Sequence, residues 1–138
     1  MSCRTAISWK FDSAFSFIET RRERYSEMIT FDDYQTGAMS TAVYPGKGEG
    51  NWTYPALGLA GETGEISEKL KKAIRDDGGV VTDERRAGIR KELGDVLWYV
   101  AALCTELNLE MQDVAEFNLQ KLAKRKDEGK LHGDGDNR

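Results

Sequence analysis

Across 138 residues no stretch sustains the two-residue alternation of a half-buried strand, and the only two prolines, Pro45 and Pro55, close off a single loop. Helical periodicity fills the rest. It is interrupted at residues 45–55 (glycine-rich, with Trp52 and Tyr54), at Asp76-Asp77-Gly78-Gly79, and in the tail 129–138. The pattern predicts helices over 30–43, 55–76, 83–107 and 110–128, and a further one over 12–27 opened by Asp12 or Ser13. Thr30 is placed to cap the helix beginning there, with Asp32 and Asp33 in its first turn, where the helix dipole favours acids. Pro55 suits a first turn, Thr82 suits the cap of 83–107 with Arg85 where a full capping box has Glu, and Gly129 ends the last helix. The expected fold is therefore all-α, a helical bundle of four to five helices completed by oligomerisation.

Composition narrows the function classes. Charged residues make up 32% and apolar residues 39% of the chain, and the net charge is -4, without the basic excess of a nucleic-acid binder. Cys3 and Cys104 form neither a disulfide framework nor a paired zinc spacing, which points to a reduced, cytoplasmic setting. No apolar run reaches the roughly 18 residues needed to span a bilayer, and the first ten residues lack the apolar core of a signal peptide. Neither nucleic acid nor membrane is an expected partner.

The chemistry resides in a repeat. Leu59, Glu62, Gly64, Glu65, Ile66 and Leu70 align with Ile89, Glu92, Gly94, Asp95, Val96 and Val100 at an offset of thirty residues. At about 100° per residue, Leu59, Ile66, Leu70, Ala73 and Ile74 form one apolar stripe. Ile89, Leu93, Val96, Val100, Leu103 and Leu107 form another. The two acids of each helix, at i and i+3, fall on the same edge of their stripe. A carboxylate at the border of a core costs on the order of several kcal/mol unless compensated. Packing the stripes together would set four such charges face to face, with Lys69 the only base on that edge. A divalent cation resolves the conflict, and oxygen donors without His or Cys select a hard ion, Mg2+ or Mn2+.

The competing explanation is a solvated acidic face, with Glu65 paired to Lys69 and Glu68 to Lys72 at i, i+4. Repetition of the acid pair in one register, beside Gly61, Gly64 and Gly94, favours the metal. Each of those glycines costs about 1 kcal/mol against Ala in a helix, so they are expected to permit close approach of helices or of a ligand. The only histidine, His132, lies in the tail, so a Glu-x-x-His di-iron site lacks its ligands.

Gly58-Leu-Ala-Gly-Glu-Thr-Gly-Glu65, followed by Lys69, Lys71 and Lys72, and then Lys91-Glu-Leu-Gly-Asp-Val-Leu-Trp-Tyr99, resembles the MazG-like all-alpha nucleoside triphosphate pyrophosphohydrolases. That family carries Glu-x-x-Glu, a spacer and Glu-x-x-Asp, and the 26 residues between Glu65 and Glu92 fit the spacer. Asn118-Leu-Gln-Lys-Leu-Ala-Lys-Arg125 looks like its last-helix motif, and Tyr34-Gln35 like its first-helix motif. The tail resembles endings in phage and bacterial members. The resemblance covers about 30–138, which sets the domain there and leaves 1–29 as an N-terminal extension.

The resemblance implies a hydrolase that cuts a nucleoside triphosphate between the α and β phosphates, with Mg2+ as cofactor (Mn2+ can substitute) and a dimer or tetramer as the assembly. Glu62, Glu65, Glu92 and Asp95 are its implied metal ligands and catalytic residues, one of them orienting or deprotonating the attacking water. The expected substrate-binding set is Gln35, Trp52, Lys69, Lys72, Asn118, Lys121, Arg125 and Arg138. For Lys121 and Arg125 a solvated basic helix end stays open. Trp52 and Tyr54 could stack on a base or anchor the core, while Trp98 and Tyr99 are expected in packing. The rival functions are a related pyrophosphatase, such as one acting on phosphoribosyl-ATP, and a non-catalytic helical interaction protein with solvent-facing, metal-free acids.

Overall fold

A computed structural model describes residues 29–130 and His132. Four helices follow one another in these residues: α1 (Phe31–Met39), α2 (Thr53–Asp76), α3 (Asp83–Glu106) and α4 (Met111–Asp127). No strand occurs among them, so the all-α expectation holds. The expected helix over 12–27 and the C-terminal Arg138 lie outside the described residues.

The helix ends follow the capping chemistry of the sequence. Thr30 and Asp33 form a reciprocal capping box at the start of α1: the Thr30 hydroxyl accepts from the Asp33 amide, and the Asp33 carboxylate accepts from the Thr30 amide at 2.9 Å. Thr82 caps α3 by accepting from the Arg85 amide. Asn108, at φ 55°, and Gly129, at φ 66°, take the left-handed position after α3 and α4. Each is followed by a return bond, Leu109 N–H to Cys104 O and Lys130 N–H to Arg125 O, both 2.8 Å.

One boundary departs from expectation. α1 stops at Met39 rather than continuing to 43. The hydroxyls of Ser40 and Thr41 bond back to the carbonyls of Gly37 and Ala38, at 2.6 and 2.8 Å, and compete with the helix ladder. The chain then leaves the helix and buries Ala42 and Tyr44.

α2 and α3 form an antiparallel hairpin. Gly58 lies against the Tyr99 ring toward one end, and Lys69 packs on Gly88 further along. Arg85 reaches Asp76 and Asp77 at the turn. α1 packs on both α3 and α4. The small core sits at that junction, from Ala101, Ala102, Cys104, Met111, Ala42 and Tyr44, with Met39 and Trp98 against it. Trp98 spans the gap to α1, where its indole N–H is shared between Ala38 O and Thr41 Oγ1 at 3.1 Å each.

Much of the apolar patterning is left exposed among the described residues. On α2, Ala73 is buried and Leu59 and Ile66 are half-buried, but Leu70 and Ile74 of the same stripe are exposed. Leu93 on α3 and Leu107 just after it are likewise exposed, as are Leu57 at 70% and Phe117 at 69%.

Candidate metal centre

An antiparallel hairpin turns a thirty-residue repeat into converging side chains. The Glu62–Glu65 turn of α2 and the Glu92–Asp95 turn of α3 lie opposite each other midway along the pair, on the same edge of both stripes. Glu62, Glu92 and Asp95 each bring one oxygen within 4.8 Å of the other two. Burial, then the charges of Asp95 and Glu92, then a hydrogen bond with Glu92 and the charge of Glu65, push the Glu62 carboxyl above the usual carboxylate range. Such a cluster of oxygen donors, with one member resisting ionisation, fits a hard divalent ion in charge and donor chemistry.

Glu65 stands at the edge of this cluster. Its carboxylate is turned to Lys69, 3.6 Å away, and its side chain is more exposed than that of Glu92. Lys69 Nζ also lies 2.9 Å from Glu92 Oε1. The Glu92 hydrogen bond, ahead of the charges of Glu92 and Glu65, holds the Lys69 ammonium above its ordinary pKa. The pairing of Glu65 with Lys69, expected only of a solvated face, thus coexists with convergence of the other three acids.

The glycines divide differently from expectation. A Cβ added at Gly61, Gly64 or Gly94 would meet nothing within 4 Å, so among the described residues none of them is needed for close side-chain packing between helices. The close approach is at Gly58, where a Cβ would fall 2.1 Å from Tyr99 Cε1. That contact seats Tyr99 near the acids. Burial, then the Tyr54, Glu62 and Asp95 charges, raise the Tyr99 pKa, and burial and Asp95 raise that of Tyr34. The Tyr34 hydroxyl points to Gly94 O at 3.5 Å. Tyr99 was expected in packing. Its edge contact with Trp98 provides that, and the same ring borders the cluster.

The expected substrate contacts are scattered. Gln35 is buried, and its amide is committed to the corner between α3 and α4: it donates to Thr105 Oγ1 and Leu109 O at 3.0 Å and accepts from Met111 N–H at 2.7 Å. Lys72 pairs with Glu68 one turn beyond Lys69. Trp52 is exposed at the start of α2, whereas Tyr54 stacks on Tyr44 with ring centroids 5.1 Å apart. On α4, Asn118 is exposed, Lys121 is half-buried and Arg125 is buried.

Glu106 is a residue that pattern reasoning missed. Its buried carboxylate accepts from the Tyr44 hydroxyl at 2.6 Å and from the amides of Gly48, Gly50 and Asn51 at 2.8, 3.0 and 2.9 Å. Those bonds, the Tyr44 hydroxyl first, hold its pKa below the usual range. They also explain the glycine-rich loop. Gly46, Gly48 and Gly50 all have φ between 70° and 79°, which lets successive amides face one carboxylate. The signal in the sequence was an acid in the last turn of a helix, where the dipole disfavours it.

The profile of the MazG nucleotide pyrophosphohydrolase domain matches residues 54–129, which include Glu62, Glu65, Glu92, Asp95 and α4. The chain belongs to this MazG family. The Gene 37 protein of Mycobacterium phage L5 is 48% identical over 111 residues, covering 78% of this chain and 97% of that protein. No solved structure matches the chain. In this MazG chain no helix of the described residues is long and apolar enough to cross a membrane.

Proposed function

We propose that this MazG chain is a Mg2+-dependent nucleoside triphosphate pyrophosphohydrolase, with Mn2+ as a substitute ion, that acts in the cytoplasm as a homo-oligomer. Water attacks the α phosphorus, the bond to the α–β bridging oxygen breaks, and a nucleoside monophosphate and pyrophosphate leave. The observation that carries this reading is the convergence of Glu62, Glu92 and Asp95 within 4.8 Å on the MazG-matched segment. Domain limits of 30–138 follow from the same reading.

Glu62, Glu92 and Asp95 would hold the ion, with Glu65 joining from the edge. When bound, a divalent cation offsets phosphate charge and lowers the pKa of a coordinated water. The chain's own residues do the rest. One of the four carboxylates orients the water and takes its proton. Lys69, Lys72, Lys121, Arg125 and Arg138 neutralise the triphosphate, Asn118 contacts it, Gln35 acts only indirectly by bracing the corner between α3 and α4, and exposed Trp52 offers a face to the base.

The oligomer is supported by the apolar side chains of α2, α3 and α4 that stand exposed among the described residues. A panel of ribo- and deoxyribonucleoside triphosphates, with phosphoribosyl-ATP beside them and pyrophosphate as the readout, tests the reaction. Mg2+-dependent pyrophosphate release from a nucleoside triphosphate is expected. Release from phosphoribosyl-ATP alone would move the activity to the related pyrophosphatase, and none from any substrate would leave a helical interaction protein.

A further inference from the structure

Lys69 sends its ammonium into the carboxylate cluster rather than into solvent. Nζ lies 2.9 Å from Glu92 Oε1 and 3.6 Å from Glu65 Oε2. The lysine side chain retains 27% of its exposure and that of Glu92 17%, so the contact is partly shielded from water. The aliphatic stem is seated on Gly88, where an added Cβ would stand 3.3 Å from Lys69 Cε. A cavity of about 460 Å³, lined by Asp77, Thr82, Glu84, Arg85 and Gly88, opens beside the same side chain.

Glu92 is also one of the three acids whose oxygens converge. An ammonium and a divalent ion would both seek its carboxylate, and at such range they repel each other strongly in a partly shielded site. We propose that Lys69 is a tethered counter-ion. It holds the Glu65–Glu92 edge of the cluster while no divalent cation is present, is displaced from Glu92 when one binds, and becomes free to meet the anionic substrate. This rests on the metal-dependent reading of the site. The adjoining cavity gives the stem room to swing without unpacking the hairpin. The arrangement makes Lys69 a positioning residue whose ion pair sets how readily the site takes up metal.

Lys69→Met keeps the stem and removes the charge. Calorimetric titration of the full chain with MgCl2 alone, without nucleotide, is expected to show two- to fivefold tighter binding in Lys69→Met, the range set by an ion pair of this exposure. The metal-free variant should also melt below metal-free wild type, because the acids lose their compensating charge. A lysine that only contacts phosphate would leave Mg2+ affinity unchanged, and one that only supports the fold would weaken it. Either result overturns the proposal. A second measurement needs no variant: the Lys69 Cε resonance of wild type, followed by NMR, should move on saturation with Mg2+. A resonance that stays in place while calorimetry reports Mg2+ bound overturns the displacement. Absence of Mg2+ binding in both wild type and variant would instead overturn the metal-dependent reading itself.

Discussion

At Glu62 burial, the charges of Asp95 and Glu92, and a shared hydrogen bond all oppose ionisation. Glu62→Gln preserves volume and removes that conflict. In chelator at neutral pH it should melt no lower than wild type, and hydrolysis should fall about 100-fold or more, as for loss of a charge at a reacting centre. Asp95→Asn should behave alike. Glu65→Gln and Glu92→Gln should lose hydrolysis too, but each strips Lys69 of a partner, so their metal-free forms are expected to melt slightly lower. Differential melts beside rate measurements check both parts. Spacing alone placed Glu62, Glu65, Glu92 and Asp95 on one edge; the structure brings Glu62, Glu92 and Asp95 together and leaves Glu65 at the border, paired with Lys69. The Lys69 bridge from α2 to α3 was not legible, because helical spacing specifies neighbours within a helix and not across a hairpin. Two glycines separate in the same way. Gly58→Ala would drive a Cβ into the Tyr99 ring and should cost roughly 1–3 kcal/mol, with loss of activity as the ring leaves the acids. Gly61→Ala has open space and should stabilise the free chain by up to about 1 kcal/mol. Thermal melts of the pair would show opposite signs. A Gly61→Ala chain that is stable yet inactive would mark that space as the ligand's.

Helices were legible from caps and breaks, because Thr30, Thr82, Pro55 and Gly129 act on their own few neighbours. The short α1 was less so: Ser40 and Thr41 end it through back-bonds that compete with propensity. The loop before α2 is legible only as a glycine-rich break between two prolines, yet Glu106 fixes it from 55 or more residues away. Glu106→Gln would present N–H groups to backbone N–H donors and should cost roughly 2–3 kcal/mol, read as a lower Tm. Its pH dependence has a definite sign. The folded carboxyl titrates below its ordinary value of 4.5, so its contribution is full above 4.5 and is lost as pH falls through the lower folded value. The Tm gap between wild type and Glu106→Gln should therefore be widest near neutral pH and close in acid. A gap that widens on acidification would contradict this account of the loop.

At the scale of the whole molecule, the described residues leave large apolar side chains exposed. Leu57, Ile74, Phe117 and Leu119 stand in water, while Arg125 on the same helix as Phe117 is buried. Binary patterning marks which residues are apolar but not which of them the fold covers, so the stripes are legible and their packing is not. Light scattering at micromolar concentration should give a dimer or larger, and Phe117→Asp should lower the mass; a monomeric wild type would count against association. Turnover is also a property of the whole molecule, and it tests the proposed metal centre most directly. Wild type and Glu92→Gln, each with a nucleoside triphosphate and Mg2+, can be followed by 31P NMR. Wild type should yield the monophosphate and pyrophosphate in equal amounts, stop on chelation and resume with Mg2+, while Glu92→Gln yields neither. Equal turnover by both proteins, or products of diphosphate and inorganic phosphate, would contradict the assignment.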